Sequence, residues 1–314
     1  MLNRGHYSSA NKSYEYSICV KEMLILLLNM SMKWTEYEEF VFQECLRVFG
    51  DSVKKNVYLP GRFSKHKRQI DVLITPSDEN DLKQIIAIEV KYYSTKIDVK
   101  IVESFIAMLD DVGVEKGIIV SSKGFSKSAV NRAYEGTDNI EVDILSIEEL
   151  KRFQSPGAII FSGRNGFAII TPFGWVVDAT RHQNMLAILY RRGFSDLASA
   201  ALEEKVFMYI NIFDKQKDIC SVEELIKRQE LEFRASFSSY SIRIEKHEEI
   251  TLRFFESPSY PTLEVSAFRE QSNCILLAVL FCPVKTARKD IEKLMFLVKN
   301  AIYINVLQHP ESCS

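Results

Sequence analysis

Apolar and polar positions along the chain recur first with a helical period and then with an extended one. In "WTEYEEFVFQECLRVFG" Tyr37, Val41, Cys45 and Val48 share a face, with Phe42, Leu46 and Phe49 beside them, which predicts a helix from Thr35 to Phe49 stopped by Gly50. A short strand near "NVYLP" follows, then two extended runs, "RQIDVLI" and "QIIAIEVKYY", separated by the turn-forming "TPSDENDLK". "DVKIVESFIAMLDDVG" reads as a helix capped by Asp98, with Ile101, Phe105 and Met108 on one face. "KGIIVSS" is a buried strand, "SKSAVNRAYEG" a helix opened by Ser126 and closed by Gly136, and "IEVDILS" a strand leading into "SIEELKRF". The order α, three β, α, β, α, β is a compact α/β unit ending near residue 153.

Past a break at "FQSPGA" the pattern changes. Strands are expected at "GAIIFSG", "GFAIITP" and "WVVDAT", then helices at "QNMLAILYRRG", "FSDLASAALEEKVFMYINIF" and "SVEELIKRQELEFRA". The runs "YSIRIEK", "EITLRFFE", "TLEVSAF" and "CILLAVLF" predict an antiparallel meander, and "VKTARKDIEKLMFLVKNAIYINV" a closing helix. The expected division is an extension over 1–31, an α/β domain over 32–153 and an α+β domain over 154–314. The last contains no metal-spaced His/Cys cluster, phosphate loop or nucleophile motif.

A chain of 314 residues, 46% hydrophobic, fits roughly two domains with sizeable cores. Its net charge of -2 excludes a polycation that coats nucleic acid, so any such contact must be a local patch. The 6 cysteines form no CxxC pair, which argues against a zinc site or a disulfide framework and favours a reducing, cytoplasmic setting. "MLILLLNM" is far shorter than the roughly 20 apolar residues of a spanning helix, so no membrane association is expected. With Glu15 and Glu22 in place of a basic start, it does not read as a secretory signal either. Residues before Met30 or Met32 are expected to be an ill-packed extension or an upstream-start artefact.

One polar residue interrupts an otherwise apolar strand: Asp71 in "GRFSKHKRQIDVLI". Strand parity turns Ile70, Val72 and Ile74 one way and Asp71 and Leu73 the other; in the next run Glu89 and Lys91 share a face opposite Ile86, Ile88 and Val90. If the two runs pair, Asp71 comes beside Glu89. Two carboxylates resist ionising together unless a cation lies between them, which fits a hard divalent ion such as Mg²⁺ or Mn²⁺. Such an ion polarises a phosphate and acidifies bound water, and Lys91 would orient that water or stabilise the charge of the transition state. The implied chemistry is phosphodiester hydrolysis, with Lys65, His66, Lys67 and Arg68 close enough to hold a DNA backbone.

Asp71 with Glu89-Val90-Lys91 resembles the PD-(D/E)XK nuclease pattern, without a proline before Asp71. The wider run "KRQIDVLI … IAIEVKYY … IVESFIAMLDDVGVEKGIIVSSKGFSKSAVNRA" is similar to the Mrr-like restriction endonuclease domain, over about Thr35 to Phe153. The resemblance implies a central mixed sheet flanked by helices and a Mg²⁺-dependent deoxyribonuclease. It also implies a glutamate drawn from the first helix into the metal site. Glu38 is the better candidate, since Val41, Phe42 and Cys45 place it on the inward face, while Glu39 faces water. The plain alternative is a capping box, Thr35-x-x-Glu38.

Other residues carry two readings as well. Asp71, Glu89 and Lys91 could be a buried ion pair, though such a triad is costly to keep without a role. Lys65, Lys67 and Arg68 bind phosphate or form a solvated loop. Gly124 and Ser126 approach phosphate or make an ordinary turn and cap. Tyr92 and Tyr93 stack on substrate or pack at a strand end.

The function expected is a metal-dependent DNA endonuclease in restriction or defence against foreign DNA. A homodimer is expected for cutting both strands, with the C-terminal half as a recognition or oligomerisation module that could bind a partner protein. The alternatives are a non-catalytic binding module on the same fold, or a junction-resolving or repair nuclease.

Overall fold

The computed structural model describes residues 33–75, 85–135, 137, 139–146, 157–179, 185–192, 201, 205–215 and 219–305. The expected N-terminal extension, the "TPSDENDLK" turn after Thr75, the "SIEELKRF" helix and the boundary at 153 lie outside the described residues.

The first unit has a five-stranded sheet in sequential order. Its strands are β1 (Val53–Pro60), β2 (Lys67–Ile74), β3 (Ile86–Lys91), β4 (Lys116–Ser121) and β5 (Glu141–Ser146). β1, β2 and β3 pair antiparallel, and β3, β4 and β5 parallel, giving a mixed sheet. Helix α1 (Trp34–Phe49) covers one face, where Tyr37, Val41 and Cys45 pack on Val72, Ile88 and Val120. Helices α2 (Val99–Val112) and α3 (Lys127–Glu135) cover the other. The buried face of α2 is Val102, Phe105, Ile106 and Leu109. Ile101 and Met108, expected on the core face, flank it, because that four-residue spacing describes the buried stripe better than 101, 105 and 108 do.

Helix α1 begins at Trp34, where the Glu36 carboxylate accepts the Lys33 N–H. The Thr35-to-Glu38 capping box is therefore corrected: the helix starts before Thr35 and its capping glutamate is Glu36. Asp98 caps α2 through the Ile101 N–H and Ser126 caps α3 through the Ala129 N–H, each at 3.2 Å.

Strict alternation in β2 also needs correction. Val72 and Ile74 face α1, but Ile70 lies with Leu73 on the α2 side. The β1–β2 ladder has no pair between Lys55↔Val72 and Val57↔Ile70, and Asn56, opposite Asp71, has φ 53°. The strand turns over at Asp71 and its parity changes there.

The second unit holds a seven-stranded sheet. It contains β8 (Trp175–Asp178), β9 (Ala187–Arg191), β10 (Phe207–Asp214), β11 (Ser241–His247), β12 (Ile250–Glu256), β13 (Leu263–Glu270) and β14 (Cys274–Cys282). The spatial order is β11-β12-β13-β14-β10-β9-β8, antiparallel throughout. Helix α4 (Val222–Ser236) packs Leu225 and Ile226 on Phe268 and Leu277. Helix α5 (Ala287–Lys299) closes the opposite core, shared with a small sheet of β6 (Gly157–Ser162), β7 (Asn165–Ile170) and β15 (Ile302–Asn305).

Three helices expected in this half are corrected. "AILYR" is strand β9, with Ala187, Ile188 and Leu189 buried; a short apolar run carries no period, and pairing with β10 decides it. "FMYINIFD" is strand β10, buried at Met208, Ile210 and Ile212, a period of two inside what read as one helix. The closing helix stops at Lys299, where Arg269 donates to the carbonyls of Val298, Lys299 and Ala301, and the chain turns into β15.

Polar contacts join the two units. Lys289 donates to the carbonyls of Glu135 and Thr137 at 2.8 Å, and Lys293 pairs with Glu141. Arg192 meets the buried Asp143 of β5 at 2.7 Å.

Candidate active site

β2 and β3 pair only at Val72↔Ile88, Leu73↔Ala87 and Ile74↔Ile86, then part. β3 continues along β4 to Lys91↔Ser121. Its edge toward β2 is thus open beside Glu89 and Lys91. Asp71 sits at the fork, and its Oδ2 accepts the Val90 N–H at 2.8 Å. That bond satisfies a donor the interrupted ladder leaves over.

Three of the expected site residues come together here. Lys91 Nζ is bonded to the Glu89 carboxylate, and both charges act on Asp71. Burial pushes the Asp71 carboxyl up to about 6, with Glu89 and Glu38 adding to the effect while the Val90 N–H and Lys91 oppose it. Lys91 loses solvation by burial, yet its bond to Glu89 together with the charges of Glu89, Tyr93 and Asp71 outweighs that loss and holds its pKa above the ordinary value. Glu89 and Lys91 line a cleft of about 450 Å³ with Lys67, Arg68 and Gln69 of β2 and with Ile101, Ser104, Phe105, Ala107 and Met108 of α2.

Glu38 is inward-facing and 3% exposed, but Lys55 lies 3.4 Å from its carboxylate. The same lysine bonds the outward Glu39 at 3.0 Å. Among the described residues no three His, Cys, Asp or Glu side chains are grouped to hold a metal, although the Glu38 charge acts on Asp71. Two hard carboxylates remain at the fork, one of them raised in pKa by burial and by its neighbour's charge. That donor set fits a divalent cation, whose charge would relieve both effects.

The basic approach is more ordered than a solvated loop. Gly61 N–H donates to His66 C=O at 2.8 Å, and the N–H groups of Phe63 and Ser64 donate to Asp111 Oδ1 at 2.9 and 3.0 Å. Arg68 Nε donates to Asp111 Oδ2 at 2.8 Å. These bonds, with that of the Ser64 hydroxyl, hold the Asp111 carboxyl well below the usual carboxylate range. Lys67 and Arg68 reach the cleft, whereas Lys65 turns back to the Arg62 carbonyl at 2.7 Å. Ser126 caps α3 and does not line the cleft. Of the two tyrosines, Tyr92 packs against Tyr37 and Tyr93 is 42% exposed.

Asp111 was not anticipated from sequence. Its signal is an acid in the last turn of a helix, where the partial negative charge of the carbonyls disfavours it unless donors are supplied from elsewhere.

A mixed α/β sheet carries Asp71, Glu89 and Lys91 at a strand fork, and the stretch that holds them has a match among known families. Residues 30–153 match the family model Mrr_cat, described as a restriction endonuclease, so this part of the chain is similar to the Mrr-like restriction endonuclease domain. No curated protein matches. Solved structures with some likeness include a protein of unknown function, AF1548, at 22% identity and a TM-score of 0.29. That match covers 36% of this chain and 66% of the other, so the chain spans just under two thirds of its length. Another is LpqN of Mycobacterium tuberculosis, described as involved in cell envelope biogenesis, at 6% identity and a TM-score of 0.30, covering 51% of this chain and 98% of that one. Likenesses this weak define neither shared activity nor shared ligands.

Proposed function

We propose that the chain is a metal-dependent endonuclease that hydrolyses DNA phosphodiester bonds, in restriction or in defence against foreign DNA. The observation that carries the reading is the fork at Asp71, whose carboxylate accepts the N–H of Val90, the residue between Glu89 and Lys91, which both line one cleft. Asp71 and Glu89 would hold Mg²⁺ or Mn²⁺, which when bound supplies a polarised phosphate and a more acidic water.

The chain's own residues do the rest. Lys91, kept charged by Glu89, places a compact donor where negative charge grows on the phosphate. Lys67 and Arg68 hold the backbone along the cleft. Asp71 must release its proton before it can serve as a ligand, so cation binding and proton loss are coupled. In the same proposal residues 32–153 form the nuclease domain, and residues 154–314 direct it by recognition or oligomerisation. The working form is a cytoplasmic homodimer, because cutting both strands requires two sites.

One observation favours the non-catalytic alternative: Lys55 lies 3.4 Å from the Glu38 carboxylate and supplies it with a cation. The deciding experiment measures cleavage of plasmid, methylated plasmid, linear and branched DNA with Mg²⁺ or Mn²⁺, for the wild type, Asp71→Ala and Lys91→Ala. Cutting that disappears in both folded variants establishes the enzyme. The preferred DNA then separates restriction from junction resolution, and a wild type that binds without cutting refutes the enzyme reading.

A further inference from the structure

Phe63 is 71% exposed, more than any other large apolar side chain among the described residues. A lone exposed apolar group on a surface ordinarily calls for no explanation. This one stands on a loop whose backbone is fixed from several sides. Asp111 Oδ1 takes the N–H groups of Phe63 and Ser64, the Asp111 carbonyl takes the Arg62 N–H at 2.6 Å, and the loop closes through Gly61 and His66. A Cβ on Gly61 would lie 2.6 Å from Asp111 Oδ2 and 2.9 Å from the His66 carbonyl, so only glycine permits this closure. A Cβ on Gly113 would lie 1.8 Å from the Arg62 guanidinium, which rests over the end of α2.

The surroundings of the ring are basic: Arg62, Lys65, His66, Lys67 and Arg68 flank it in a chain of net charge -2. Arg68 links the loop to the cleft, since it bonds Asp111 at 2.8 Å and lines the same cavity as Glu89 and Lys91. A rigidly presented aromatic ring among cations matches a nucleobase beside its phosphates. Every base offers a flat π-face, and a ring already held in place loses little freedom on binding. A protein partner's apolar pocket would not call for the ring of positive charge.

We infer that the Gly61–His66 loop is a stacking probe, with Phe63 set against an unstacked base of single-stranded or branched DNA next to the cleft. The inference rests on the reading of DNA as the ligand, and assigns Asp111 as the positioning residue of the loop.

The test measures binding by the full chain in EDTA, where no cutting occurs, to single-stranded, branched and duplex DNA. Phe63→Ala should weaken binding of the first two by about tenfold to a hundredfold and leave the salt dependence unchanged, because no charge is removed. Arg62→Ala should instead reduce the slope of log K against log salt by about one. Phe63→Trp should bind normally, and its emission should be quenched by DNA beyond the change seen in the wild type, which carries Trp34 and Trp175 already. Asp111→Asn should lessen that quenching in the Phe63→Trp background while the fold is retained.

Unaltered binding by Phe63→Ala together with an unquenched Phe63→Trp overturns the inference. So does a change of oligomeric state in Phe63→Ala with no change in DNA affinity. The two readings fail separately: quenching without any cutting leaves the probe standing and removes the nuclease, whereas cutting with a silent Phe63→Trp does the reverse.

Discussion

The Asp71 carboxylate takes the Val90 N–H at 2.8 Å, at the place where β2 stops pairing with β3. A side chain has replaced a backbone partner, and in doing so it is held at the fork with a carboxyl raised to about 6 from an ordinary 3.8. A raised carboxyl keeps its proton in the folded protein over a range where the unfolded chain has released it. Without metal, folding is therefore favoured as pH falls from about 6 toward 3.8, and above 6 the buried charge is a standing destabilisation. Asp71→Asn keeps an acceptor for Val90 and removes the charge. It should raise unfolding free energy at pH 7 by about 1 kcal/mol, after allowance for the water that still reaches the group, and by nothing below pH 4. Urea melts at the two pH values check this, and an Asn variant less stable than wild type at pH 7 refutes the electrostatic account.

The same proton competes with a cation. Mg²⁺ or Mn²⁺ affinity should fall as pH drops through about 6, and Mn²⁺ should raise the melting temperature of the wild type but not of Asp71→Asn. Calorimetric titration at pH 5.5 and 7.5 measures it; equal affinity at both values counts against Asp71 as a ligand.

Lys91 separates binding from chemistry. Its raised pKa keeps it charged throughout the neutral range, and any stability it contributes is lost only as pH rises through that raised value, so no neutral-pH titration should be traceable to it. Lys91→Ala should lower the cleavage rate roughly 10²- to 10³-fold while DNA affinity changes less than tenfold. Single-turnover kinetics distinguish the two effects. A loss confined to affinity would make Lys91 a phosphate contact.

Much of the first unit was legible because its strands and helices follow their own periods and its caps, Asp98 and Ser126, are local. The parity change at Asp71 was not, because it depends on Asn56 across the ladder. Two aspartates in apolar strands posed the same question with opposite answers. Asp71 stands at an open fork, whereas Asp143 is 1% exposed and is met by Arg192 of the other unit. Nothing local distinguishes them, since Arg192 lies in a segment that read as a helix and directly follows strand β9. Short buried runs such as Ala187–Arg191 become strands through neighbours far along the chain.

The buried Glu38 and the half-buried Lys55 form a pair whose purpose can be tested apart from catalysis. Lys55 is held charged first by Glu39 and then by Glu38. Lys55→Met leaves the Glu38 carboxylate inside without its cation and should cost about 1–2 kcal/mol, most of which Lys55→Met with Glu38→Gln should recover. Glu38→Gln alone should leave Mn²⁺ affinity within a factor of about three, since Lys55 and not a metal is its partner. A large loss of metal affinity would return Glu38 to the ligand set.

The Arg192–Asp143 pair spans the two units at 2.7 Å, with the aspartate side chain wholly buried and the arginine nearly so. Asp143 also accepts the Ile144 N–H at 2.9 Å, so its carboxylate is fixed to the β5 backbone. Arg192→Ala would remove the cation that meets the buried Asp143 in the first sheet, which should lower stability by about 3–5 kcal/mol, and adding Asp143→Asn should restore a good part of it. Because the pair ties a residue after β9 to a strand of the other sheet, the loss should be felt across the boundary. Amide exchange along β5, Ile144 above all, should quicken in Arg192→Ala while exchange in the distant β11–β12 hairpin stays as in the wild type. If β5 exchange is unchanged while the second unit loosens, the pair belongs to that unit's own stability, and the five-stranded sheet does not depend on its neighbour through Arg192.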